Sequence, residues 1–142
     1  MARADETEAR MRIVVEDPVP GVLLSLQGKD GKPLGPKTSA SGEPLAFDFT
    51  VRVAPGPRFL GDQVRREGRV RRFVYLRVGQ AAGQCLSPWT RRMKIDIHDI
   101  PPAVLERGMA GEVVEATVNG TAKDGSPACA TVPVLGWRAV AA

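Results

Sequence analysis

Tyr75, Trp89, Arg91 and Lys94 are the residues of this chain whose types and spacing best suit binding chemistry. Two amphipathic aromatics would supply contact area, a guanidinium would supply paired donors for a carboxylate or phosphate, and an ammonium would add a point charge. Arg77 and Lys123 are candidates to extend the set. The same residues admit a purely structural account. Trp89 follows Pro88 and could plug the core at a strand entrance. Arg91 shares the parity of Met93, Ile95 and Ile97, and there it would need a buried acid such as Asp48 or Glu115, because a guanidinium keeps its charge. The expectation is therefore a ligand or an internal ion pair at Arg91.

A second constellation is catalytic in type. His98 follows Asp96 by two residues, and Cys85 and Ser87 lie upstream. A carboxylate that orients an imidazole beside a thiol or hydroxyl would make a nucleophile site, although such a site is defined by geometry rather than by closeness in sequence. On this alternative the chain is a lyase, isomerase or hydrolase that uses His98 with Asp96, or an Arg or Lys electrophile in a barrel mouth. Metal and cofactor readings find less. One His and two distant Cys do not give the clustered ligands of a zinc site, and no phosphate loop or dinucleotide fingerprint is present. No cofactor is expected.

Charge is unevenly spread. Residues 58–94 hold ten basic side chains against two acids, in a chain of net charge +4, so the remainder is net acidic. A basic strip favours an anionic small molecule, an acidic protein surface or a phosphate backbone. The same pattern also suits a solvated edge whose charges discourage strand pairing. Single-stranded nucleic acid is the weaker partner class, since its sites want rings for bases to stack on, and only Phe73 and Tyr75 interleave with arginines, with Phe59 and Trp89 nearby.

No apolar run reaches the roughly 20 residues that span a bilayer, and the start MARADETEARM lacks an apolar signal core. A cytoplasmic location without membrane association is the expectation. In that compartment Cys85 and Cys129 read as reduced thiols rather than as a bridge.

The elements that must carry these residues are mostly strands. Residues 1–10 read as a flexible polar tail, and residues 11–142 as a single domain. Alternation marks strands at 11–16, 21–27, 45–53, 71–78, 90–98, 112–118 and 128–134, with a further short piece at Phe59 and Leu60. Leu45, Phe47, Phe49, Val51 and Val53 share one face of the clearest of them. Residues 65–69 read as a charged loop. Proline near the start and glycine at the end predict one short helix over 102–108. Seven or eight strands with one helix predict a mainly β fold, an antiparallel β-sandwich or β-barrel, with edge strands compatible with a homodimer.

Several blocks also carry a resemblance: Arg12-Ile13-Val14-Val15 with Pro20-Gly21-Val22, Arg72-Phe73-Val74-Tyr75, Ser87-Pro88-Trp89-Thr90-Arg91-Arg92-Met93-Lys94-Ile95, and the run from Thr121 to Thr131. In this order they resemble an uncharacterised bacterial domain-of-unknown-function family, over nearly the whole chain after Met11. The resemblance implies a bacterial source and one all-β domain, and it brings no activity, ligand or catalytic residue with it. The reading that results is a non-catalytic binding or interaction module for an anionic small ligand or an acidic partner, centred on Tyr75, Trp89, Arg91 and Lys94.

Overall fold

A period of two builds the first strand. β1, Thr7–Glu16, buries Ala9, Met11, Ile13 and Val15 and turns Glu8, Arg10 and Arg12 outward. In this computed structural model, which describes residues 6–28, 38–39, 41–56, 61–66, 68–79 and 91–142, the strand thus begins at Thr7 rather than at Met11. The elements that follow are β2 (Leu23–Leu26), β3 (Thr38–Ser39), β4 (Leu45–Ala54), β5 (Gln63–Arg66), β6 (Arg69–Val70), β7 (Phe73–Val78) and β8 (Arg92–Asp96). A 3-10 turn at Ile97–Asp99 leads to α1 (Pro102–Met109), then β9 (Val113–Asn119), β10 (Ala130–Thr131) and β11 (Gly136–Val140).

The mainly β character is as expected, but the pairing is not purely antiparallel. One sheet has the order β11-β9-β1-β4-β5-β6 and the other β10-β8-β7-β2-β3. Both are mixed: β1 runs parallel to β9, and β10 runs parallel to β8. Neither closes into a barrel among the described residues. The crossover through α1 carries the chain from β8 in the smaller sheet to β9 beside β1 in the larger. Both parallel pairs, β1 with β9 and β8 with β10, are joined by long stretches of chain, as parallel neighbours require, and alternation along a strand does not report its partner's direction. Two more corrections concern elements. Around residues 65–69, read as a loop, Arg65 and Arg66 of β5 pair antiparallel with Val70 and Arg69 of β6 and so extend the larger sheet. The strand expected over 128–134 is reduced to Ala130–Thr131, and β11 supplies the edge of the larger sheet instead. The short piece expected at Phe59 and Leu60 lies outside the described residues.

The inner faces of both sheets feed one buried cluster. Met11, Ile13, Val51, Val53 and Val114 come from the larger sheet, and Leu24, Val74, Leu76, Met93 and Ile95 from the smaller. α1 closes one end of it through Leu105. Pro102 sits at the first helical position, where its missing N–H costs nothing. Gly108 lets the helix lie against β9, since a Cβ there would stand 2.4 Å from Cγ2 of Val114. No helix among the described residues is long and apolar enough to cross a membrane. Cys129 is disulfide-bonded and no described cysteine is a free thiol, against the expectation of reduced cysteines. Cys85 lies outside the described residues.

Candidate functional site

β7 and β8 carry the strongest cluster of binding chemistry, on the outward face of the smaller sheet. Val74, Leu76 and Val78 of β7, with Met93 and Ile95 of β8, are driven into the core. The same alternation forces Phe73, Tyr75 and Arg77, and likewise Arg92, Lys94 and Asp96, to the opposite face. The antiparallel register then fixes the pairs: Phe73 with Asp96, Tyr75 with Lys94, and Arg77 with Arg92. Ser25 of β2 flanks Arg77, and Thr131 of β10 flanks Lys94.

Two of these rows have complementary chemistry and one does not. Arg72, just before β7, donates from Nε to Oδ2 of Asp96 at 2.8 Å, and its guanidinium carbon lies 5.4 Å from the Phe73 ring centroid. The hydrogen bond and the charge of Asp96 raise the Arg72 pKa above the ordinary arginine value. Arg77 and Arg92, in contrast, are like charges directly across a ladder, an arrangement that destabilises a sheet. Arg92 relieves part of this by lying over Tyr75, 4.3 Å from the guanidinium carbon to the ring centroid. Its Nε is nevertheless buried without an acceptor, and such a group costs about 1–3 kcal/mol. Among the described residues, no carboxylate lies within ion-pair distance of Arg77, Arg92 or Lys94. Among the described residues, the face therefore holds three cations without a carboxylate partner beside one phenol ring.

Of the four residues singled out from the sequence, Tyr75 and Lys94 come together as cross-strand partners. Trp89 lies outside the described residues. Arg91 stands at the entrance of β8, exposed, with its carbonyl accepting the Val78 N–H at 3.0 Å. It pairs with neither proposed acid. Asp48 is held by Nε of Arg12 at 2.8 Å, and buried Glu115 by Arg12 at 3.6 Å and Arg138 at 2.6 Å, on the outward face of the other sheet. Arg77 joins the cluster, whereas Lys123 sits exposed in the turn between β9 and β10. The residue that sequence reasoning passed over is Arg92. Its parity with Lys94 already put it on the outward face, but only the register places it opposite Arg77 and over Tyr75.

Of the catalytic constellation, only Asp96 and His98 are among the described residues. Oδ1 of Asp96 accepts the backbone N–H of His98 at 3.0 Å and caps the 3-10 turn, while Oδ2 is held by Arg72. Among the described residues no hydrogen bond joins Asp96 to the His98 imidazole, which is exposed. Cys85 and Ser87 lie outside the described residues. Among the described residues no group of three or more His, Cys, Asp or Glu could hold a metal ion.

No curated protein and no solved structure matches the chain. A family model does, over residues 9–140, nearly the whole sequence and the same span that carries both sheets and the cationic face, so that the chain belongs to a family of unknown function, DUF5990.

Proposed function

We propose that this protein is a non-catalytic binding module that takes an anionic ligand or an acidic partner surface on the outward face of its smaller sheet. The observation that carries this reading is the direct opposition of Arg77 and Arg92, with Lys94 one row further along and no carboxylate at ion-pair distance from any of them among the described residues. A sheet that faces only water gains nothing from two guanidiniums held across one ladder. A bound carboxylate or phosphate would turn their mutual repulsion into paired, charge-assisted hydrogen bonds. Tyr75 supports the same assignment by holding Arg92 in place before a ligand arrives.

Base stacking is less well supported, because both rings of this face already carry a guanidinium, Arg72 on Phe73 and Arg92 on Tyr75. The hydrolase or lyase alternative loses its orienting carboxylate to the turn and to Arg72.

The test is an NMR titration of the labelled protein with citrate, tripolyphosphate and an oligoglutamate peptide at low and moderate salt. Saturable shifts at the amides of β7 and β8, lost in Lys94→Glu and Arg77→Glu proteins that keep the native spectrum, would support the assignment. Shifts spread over every basic residue and abolished alike by salt would overturn it, as they mark non-specific attraction.

A further inference from the structure

β4 is ten residues long, yet its neighbour β5 covers only Arg52, Val53 and Ala54 before the hairpin turns away. On the side away from β1, no strand or other backbone group among the described residues pairs with residues 45–51. At about 3.3 Å per residue, this leaves roughly 23 Å of sheet edge without a backbone partner among the described residues. Proteins blunt such edges with charge, proline or a bulge. Here Asp48 is the only charged residue in the stretch, and Arg12 of β1 holds it.

A cavity of about 400 Å³ lies where β5 leaves this edge. Leu26 and Phe49 give it an apolar wall and Arg52, Arg65 and Arg66 a basic one, while Asp48 and Glu8, which stands opposite Arg52 across the β1–β4 ladder, add two carboxylates that the arginines outnumber. Arg65 is matched by Glu6 at 3.1 Å. Arg52, together with Arg69 and Arg71 of the adjoining hairpin, has no carboxylate at ion-pair distance among the described residues.

We propose that the open edge of β4 accepts an extended, acidic segment of another protein as an added strand. Main-chain hydrogen bonds to residues 45–51 supply the affinity, one apolar side chain enters the space beside Phe49 and Leu26, and acidic side chains meet Arg52 and the hairpin arginines. The unblunted edge sets the mode of binding, and the unpaired cations set the sign of the partner. This site is separate from the β7–β8 face and does not depend on it.

The probe is a capped octapeptide of alternating glutamate and valine, added to the full chain, with amide hydrogen exchange read by NMR. The expected result is exchange slowed about tenfold at the edge-facing amides of residues 45–51, reduced in Arg52→Glu and unchanged in Lys94→Glu. A peptide N-methylated at alternate amides loses the effect, and so does one with lysine for glutamate. Unchanged exchange, equal protection by the N-methylated peptide, or a Lys94→Glu protein that fails to respond would each overturn the proposal. So would protection already present in the free protein together with a dimer mass by light scattering, which would assign the edge to a second copy of the chain.

Discussion

Arg77 and Arg92 face each other across the β7–β8 ladder, and Arg92 turns its guanidinium onto Tyr75, 4.3 Å from the ring centroid. Stability and binding are set against each other at this pair. Arg77→Glu replaces a repulsive cross-strand pair by an attractive one and should stabilise the protein by about half a kcal/mol, with a matching rise in the urea midpoint at unchanged m-value. Affinity for a multivalent anion should fall in the same protein. If Arg77 were only a solvated surface charge, the substitution would leave binding untouched.

The charges of the other sheet behave differently because they are paired in series. Arg138, Glu115, Arg12 and Asp48 stand in one cross-strand row on β11, β9, β1 and β4. Glu115 is buried, while Asp48 has a side chain 67% exposed. Removing the buried carboxylate at the centre of the row leaves Arg138 without its acid and takes the weaker of two acids from Arg12, which keeps Asp48. Glu115→Ala should cost about 1–2 kcal/mol, whereas Asp48→Ala should cost under about 1 kcal/mol. Denaturant melts of the two variants decide the order, and equal losses would contradict the burial-based ranking.

How far the fold was legible follows from the same strands. Residues 45–53 gave an unbroken alternation, and β4 matches it because one face is core and the other is not. β5 and β6 were hidden because Arg65, Arg66 and Arg69 read as solvated charge. What folds them inward is tertiary: Arg66 is buried with Nη1 donating to the Gln27 carbonyl at 3.1 Å and its guanidinium over Phe49. β11 was missed for a related reason. Gly136 and Trp137 look like a chain end, and only pairing with β9 makes them strand. At the site, parity alone put Tyr75, Arg92 and Lys94 outward, but the register that opposes Arg77 to Arg92 is a relation between strands. Arg91 was misplaced because alternation was carried one residue past the point where β8 begins.

Gly108 tests whether α1 is as closely seated as its contacts imply. A methyl group there meets Val114 Cγ2 at 2.4 Å, and Val114 is fully buried, so either the helix lifts or the valine leaves its rotamer. Helix propensity favours alanine over glycine by up to about 1 kcal/mol. Overpacking costs about 1–3 kcal/mol and should win. Gly108→Ala is therefore expected to be destabilising, and Gly108→Ala combined with Val114→Ala should recover part of the loss. A more stable single variant would mean that the helix is free to shift.

The turn between β9 and β10 offers a titration with a predictable sign. Oδ1 of Asp124 accepts from the backbone N–H of Ser126 at 3.0 Å and from its hydroxyl at 2.5 Å. These bonds, the hydroxyl first, hold the Asp124 pKa below its ordinary value, because they favour the charged carboxylate. A carboxylate depressed in the folded state adds stability that is present above its unfolded pKa, about 3.9, and is lost as pH falls through the lower folded value. Ser126→Ala removes the hydroxyl and keeps the backbone donor. The Asp124 carboxyl resonance should then titrate at higher pH than in the parent, though still below an unstructured aspartate. A titration midpoint unmoved by the substitution would show that the backbone N–H alone sets the depression.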